Sequence, residues 1–171
     1  MARKASTPDN GNIPDVGIGK LLRRAHIAFS RELRLRLNEQ GVTFGEFIHL
    51  EKLWYEDGLN QTEISRRAGI ETASSTKTLE LLETRGFVRR VRNGSDRRSI
   101  NVFLTPRGAG LETKLLACAA DVNAIARQQL TKSDVLAFFS LMEKIAENLD
   151  KRSAKNQRSK LKDEYGAPLP R

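Results

Sequence analysis

The stretch Asn60-Gln61-Thr62-Glu63-Ile64-Ser65-Arg66-Arg67-Ala68-Gly69-Ile70-Glu71-Thr72-Ala73-Ser74-Ser75-Thr76-Lys77-Thr78-Leu79 decides the fold. Asn60 with Glu63 three residues on has the form of a capping box. The Asn60 side chain takes the N–H of residue 63, and Glu63 reaches back. A short helix then runs from Gln61 to Ala68 and ends at Gly69. A second helix runs from about Thr72 to Arg85 and ends at Gly86. Little more than Gly69-Ile70-Glu71 separates them. Two helices joined by a tight turn containing glycine form a helix-turn-helix pattern.

Downstream, Phe87 to Arg92 and Ser99 to Thr105 are rich in β-formers, and Ile100, Val102 and Leu104 alternate with Asn101 and Phe103. The turn formers of 93–98 join them into a hairpin. Thr105-Pro106 supplies an N-cap and a proline at the first helical position. One long helix is expected from Pro106 to about Gln129. Thr131 caps a last helix to about Asp150, with Val135, Phe139, Met142, Ile145 and Leu149 on one stripe. Upstream, Leu22, His26, Phe29, Leu33 and Leu37 recur at steps of three or four, the face of a helix from Ile18 to about Asn38. A second helix runs from about Phe44 to Glu56, with Phe47, Leu50, Leu53 and Trp54 inward.

Composition narrows the function. The 171 residues suit one domain. Thirty Lys and Arg against 21 Asp and Glu give a net charge of +9, which favours an anionic partner. One cysteine excludes a disulfide framework, and two histidines exclude a multi-histidine metal cluster. No apolar run is long enough to span a membrane. Residues 1–16 lack the apolar region of a secretory signal, so the expected compartment is the cytoplasm. Residues 1–16 and 151–171 read as flexible arms, the second basic and able to prolong the last helix by a turn or two. No phosphate loop, nucleophile elbow or histidine metal motif is present, so neither catalysis nor a cofactor is expected. Cys118, among alanines, reads as a small buried hydrophobe.

The helix after Gly69 turns Leu79 and Leu82 inward. Its N-terminal part offers Ser74, Ser75, Thr76 and Lys77, small hydroxyls and one cation able to reach base edges or phosphates. Behind it, Arg89, Arg90, Arg92, Arg97 and Arg98 lie within ten residues, opposed by Asp96. Charges of one sign this dense call for a polyanion. Asp96 either braces a neighbouring guanidinium or starts the turn, or does both.

Asp96-Arg97-Arg98, followed by Ile100-Asn101-Val102-Phe103-Leu104-Thr105-Pro106-Arg107-Gly108, resembles the wing and following helix start of MarR-type winged helix-turn-helix regulators. Leu59 to Ser65 is similar to that family's entry into its first motif helix, and Leu81 to Val88 to the end of its recognition helix. The resemblance covers roughly 18–150. It implies a mainly α fold, with a winged helix-turn-helix at about 44–108 and a small β-hairpin wing. Long dimerisation helices are implied at both ends, about 17–40 and 106–150 of a domain 17–150. It implies a homodimer on double-stranded DNA at a pseudo-palindromic operator. Arg98 would be the wing arginine of the minor groove, sharing or exchanging that role with Arg97. The segment 72–78 departs from the family in its small polar residues, since members often carry an apolar residue near Ser75 or Thr78.

Many relatives bind a small aromatic or phenolic acid between the first two helices and the DNA-binding lobe. The residues here that suit such a ligand are Arg23, His26, Phe47, His49 and Trp54. Each has a plain alternative: the histidines as satisfied core or interface residues, Phe47 and Trp54 as core, Arg23 as solvated. The leading expectation is a ligand-released repressor. The rivals are a nonspecific architectural DNA-binding protein and an adaptor whose helical dimer surface binds a protein.

Overall fold

The computed structural model describes residues 17–92 and 99–165, with 153–165 described as helix backbone. The expected arm 1–16 lies outside the described residues, as do 93–98 and 166–171. The chain divides into two compact units, Met1–Asn123 and Ala124–Arg171.

In the first unit, α1 (Ile18–Glu39), α2 (Phe44–Tyr55), α3 (Gln61–Ala68) and α4 (Thr72–Thr84) precede a hairpin of β1 (Val88–Arg92) and β2 (Ile100–Leu104). Then come α5 (Pro106–Ala109) and α6 (Glu112–Ala126), whose last turn crosses the boundary. Gly41, Gly58, Gly69 and Gly86 all have positive φ and stand where chain direction changes.

Two local expectations are corrected. Asn60 does cap α3, accepting from Glu63 N–H at 2.8 Å. Glu63 does not reach back, because its carboxylate is held by Arg66 and Arg67. The complete capping box stands one helix earlier. The Thr43 hydroxyl accepts from Glu46 N–H at 3.2 Å, and Glu46 accepts from Thr43 N–H at 2.8 Å. Such a cap contributes about 1 kcal/mol. The second correction is the helix expected from Pro106 to Gln129, which breaks at Gly110-Leu111. Leu111 N–H bonds to Gly108 O, a three-residue step that closes a tight turn before α6. Gly108 itself lies against the backbone carbonyl of Phe87, leaving no space for a Cβ atom.

The hairpin is antiparallel, with Val88 opposite Leu104 and Arg90 opposite Val102. Its second strand has another partner. Val102 N–H donates to Leu59 O at 2.9 Å, and Asn60 bridges Asn101. The chain entering α3 thereby covers the outer edge of β2. The core gathers Leu37 of α1, Phe47, Leu50 and Leu53 of α2, and Ile64 of α3. It is completed by Leu79 and Leu82 of α4, Val88 and Val102 of the hairpin, and Leu115 and Cys118 of α6. Burial of Cys118 matches its reading as a small hydrophobe.

The second unit holds α7 (Lys132–Tyr165), capped by Thr131, whose hydroxyl accepts from Asp134 N–H. The helix runs fifteen residues beyond Asp150, further than the turn or two expected. Along its stripe Val135, Met142 and Ile145 are half-buried, while Phe139 and Leu149 are exposed. Among the described residues no helix is long and apolar enough to cross a membrane, and no group of His, Cys, Asp and Glu is arranged to hold a metal.

Candidate nucleic-acid interface

α4 is fixed by its buried side. Ser75, Leu79 and Leu82 lie inside, so Ala73, Ser74, Lys77, Glu80 and Thr84 face out. Ser74 and Lys77, expected on the outer surface, are there, and Thr76 lies half-exposed beside them. Ser75 is corrected: it is fully buried, and its hydroxyl lies 2.9 Å from Nε2 of His49. A small polar residue stands at this core position because α2 offers it a polar partner. The Thr76 hydroxyl donates to Thr72 O at 2.9 Å, and that of Thr78 to Ser74 O at 3.1 Å. Their protons are committed to their own helix, so each has only its acceptor lone pairs and a methyl group left to offer.

The N-terminus of α4 has no side-chain cap, and no acidic residue occupies its first turn. Its leading N–H groups suit a phosphate oxygen. Gln61 stands at the start of α3, and its Nε2 is a buried donor without a partner among the described residues. Lys77 and Arg92 are exposed and form no ion pair with a described residue.

Sequence reading grouped Arg89, Arg90, Arg92, Arg97 and Arg98 as one basic cluster for a polyanion, and the structure separates the three that are described. Arg89 stacks on Phe103, its guanidinium 4.4 Å from the ring centroid. Arg90 is tied to α4, with Nε 2.8 Å from Glu83 and Nη1 3.5 Å from Glu80. Its backbone N–H also donates to Glu83 at 2.8 Å. Burial alone raises the Glu83 pKa, but these hydrogen bonds outweigh it and the carboxyl titrates below its ordinary range. Arg92, at the end of β1, is exposed and pairs with no carboxylate among the described residues. Asp96, Arg97 and Arg98 lie outside the described residues.

The far end of α4 is pinned as well. Arg85 donates to the fully buried Glu46 at 2.6 Å and to Gly41 O at 2.7 Å. Two guanidiniums lie over the Phe87 ring, that of Arg85 4.8 Å and that of Arg107 4.9 Å from its centroid. The Thr43–Glu46 spacing of the capping box was readable in the sequence. The pairing of Glu46 with Arg85, 39 positions away, had no local signal.

The five expected ligand residues do not come together within one chain. Phe47 and His49 are buried in the core. Trp54 packs edge-to-face on Phe47 and donates its indole N–H to Gly108 O at 3.1 Å. Arg23 and His26 are exposed on α1, with His26 Nε2 3.3 Å from the Ser30 hydroxyl. Burial separates them: Phe47 and His49 of α2 lie in the core, while Arg23 and His26 lie on the exposed N-terminal part of α1.

Residues 42–100 match the model of the MarR family. The chain is 38% identical over 88 residues to an HTH-type transcriptional regulator of Methylorubrum extorquens, a match covering 52% of this chain and 45% of that protein. It thus spans about half the length of that regulator. A MarR transcriptional regulator of Methanosarcina mazei superposes with a TM-score of 0.71 and 27% identity, covering 78% of this chain and 96% of that one. A Mycobacterium tuberculosis MarR family protein, in complex with p-aminosalicylic acid, superposes with a TM-score of 0.64 and 28% identity, covering 77% of this chain and 99% of that one.

Proposed function

The chain belongs to the MarR family, and on that premise we propose that it is a transcriptional regulator binding double-stranded DNA as a homodimer. Each copy reads through α4 and its wing. The observation that carries this reading is the asymmetry of α4. Its inner face is locked to the lobe by Ser75, Leu79 and Leu82, while its outer face leaves Ser74 and Lys77 open beside an uncapped N-terminus. Lys77 and Arg92 meet phosphates or guanine edges, with Arg97 and Arg98, outside the described residues, as further candidates for the duplex.

Exposed apolar side chains support the homodimer. Ile18, Leu21, Ile27 and Phe29 of α1 and Leu136, Phe138, Phe139 and Leu141 of α7 are each at least 40% exposed. So many exposed apolar side chains, in each of the two units taken by itself, mark interaction surfaces. A two-fold dimer presents its two α4 helices to a pseudo-palindromic site with half-sites about one helical turn apart. Such a protein works in the cytoplasm, as a repressor released by a small aromatic acid. For release, the ligand must prefer the DNA-incompetent arrangement. The neighbour holding p-aminosalicylic acid supports this ligand class. Of the residues expected to contact it, Arg23 and His26 are the two open to an anion.

The test is titration of the duplex upstream of the chain's own gene and of a random duplex, at two salt concentrations. A specificity ratio well above one supports the regulator. A ratio near one leaves the architectural protein, and no binding leaves the adaptor. Light scattering at micromolar concentration should show a dimer.

A further inference from the structure

We propose that Arg90 is a positioning residue: it ties the wing to the recognition helix and carries no DNA phosphate. The inference deepens the DNA-binding reading above and rests on it. A basic hairpin suggests that each arginine is a free cation, and the geometry at residue 90 is otherwise. Glu83 accepts from both the backbone N–H and Nε of Arg90, each at 2.8 Å. Glu80, one turn earlier on α4, faces the Nη1 of the same guanidinium at 3.5 Å. Two carboxylates on one side of the recognition helix thus hold one arginine of β1, and the arginine side chain is only 22% exposed.

This arrangement does two things. β1 is the open edge of a two-stranded sheet, since β2 is the strand that pairs with Leu59. The Glu83 carboxylate satisfies an N–H on that open edge, where no neighbouring strand does so. Arg90 also offsets the negative charge of Glu80 and Glu83, which on the outer part of α4 would otherwise repel a duplex. The wing and α4 then approach the duplex as one preset unit, and the ordering of a loose hairpin is not charged against binding.

A phosphate contact and a positioning residue leave different signatures. A phosphate contact contributes to the number of counterions released, so its loss makes the salt dependence shallower by about one. A lysine replaces it well, because a point charge suffices. A positioning arginine needs its planar fork, and lysine does not replace that.

The experiment measures DNA affinity across a salt series for wild type, Arg90→Lys, Arg90→Ala and Glu83→Gln. Amide hydrogen exchange of β1 in the free proteins runs alongside, with circular dichroism to show that each is folded. Expected are a roughly tenfold loss of affinity in Arg90→Lys, an unchanged salt slope in Arg90→Ala, and faster β1 exchange in both Arg90→Lys and Glu83→Gln. Wild-type affinity in Arg90→Lys, or a slope shallower by about one in Arg90→Ala, makes Arg90 a phosphate contact and overturns the proposal. If wild type binds no duplex, the proposed function fails, and exchange in the free proteins still decides the tie. Wild-type β1 protection in Glu83→Gln refutes it.

Discussion

His49 and Ser75 meet across the interface of α2 and α4, with Nε2 2.9 Å from the serine hydroxyl and both residues fully buried. Gly45 O lies 2.7 Å from the other ring nitrogen, Nδ1. A carbonyl oxygen can only accept, so Nδ1 carries a proton. Burial lowers the His49 pKa and so favours the neutral ring, in which Nε2 accepts and Ser75 donates. Both ring nitrogens are thereby occupied, which is why His49 has no group left for an effector.

Ser75→Ala removes the donor and leaves Nε2 buried without a partner. The expected cost is about 1–3 kcal/mol, read as a lower urea midpoint at unchanged m-value. Unaltered stability would mean that the bond contributes nothing.

Acid should weaken the fold through the same residue. Burial is the larger influence on His49 and pushes its pKa below 6.5, while the bond to Gly45 pushes it up. Above pH 6.5 His49 is neutral in both folded and unfolded chains, and stability is full. As pH falls below 6.5 the unfolded chain takes up a proton that the folded chain refuses. Stability therefore declines until pH passes the depressed folded value. Comparing urea midpoints between pH 7.5 and 5.5 in wild type and His49→Gln tests this, and the difference should shrink in the variant. An equal decline in both would assign it to other groups.

Gly108→Ala tests the contact between α5 and the turn that joins α4 to β1. The added methyl group meets the backbone carbonyl of Phe87, which cannot rotate away. A loss of about 2 kcal/mol or more is expected, measured by thermal or urea unfolding. A variant as stable as wild type would show that α5 can shift without cost.

Lys77→Ala should weaken operator binding and leave stability within about 0.5 kcal/mol, because the side chain is exposed. If Lys77 meets a phosphate, the salt slope falls by about one and every sequence is weakened alike. If it meets a base, discrimination falls instead. Wild-type affinity and discrimination would remove Lys77 from the interface.

The sequence was most legible where local rules decide. Gly69 and Gly86 end α3 and α4 where expected, and Asn60 caps α3. The alternation in β2 places Val102 inside. Side-chain pairing was less legible, because it joins distant positions. Glu63 abandons the reciprocal half of its capping box because two arginines on its own helix compete for the carboxylate, and their hydrogen bonds pull its pKa down to about 2. Ser75 resembled its exposed neighbours in type, and only a histidine 26 positions earlier makes it a core residue. The break at Gly110 was visible as a glycine, but not the Phe87 carbonyl that holds Gly108.

α4 is restrained at three places: Ser75 to His49 near its start, Glu80 and Glu83 to Arg90 along its side, and Arg85 to Glu46 at its end. A rod held so cannot roll or slide by itself without breaking a buried bond. Its adjustments must be those of the whole lobe. For a two-fold regulator, the variable left for an effector is then the gap between two inflexible reading heads. A covalent tether that sets that gap should reproduce the effect of a ligand with no ligand present, and its length alone should decide between binding and release.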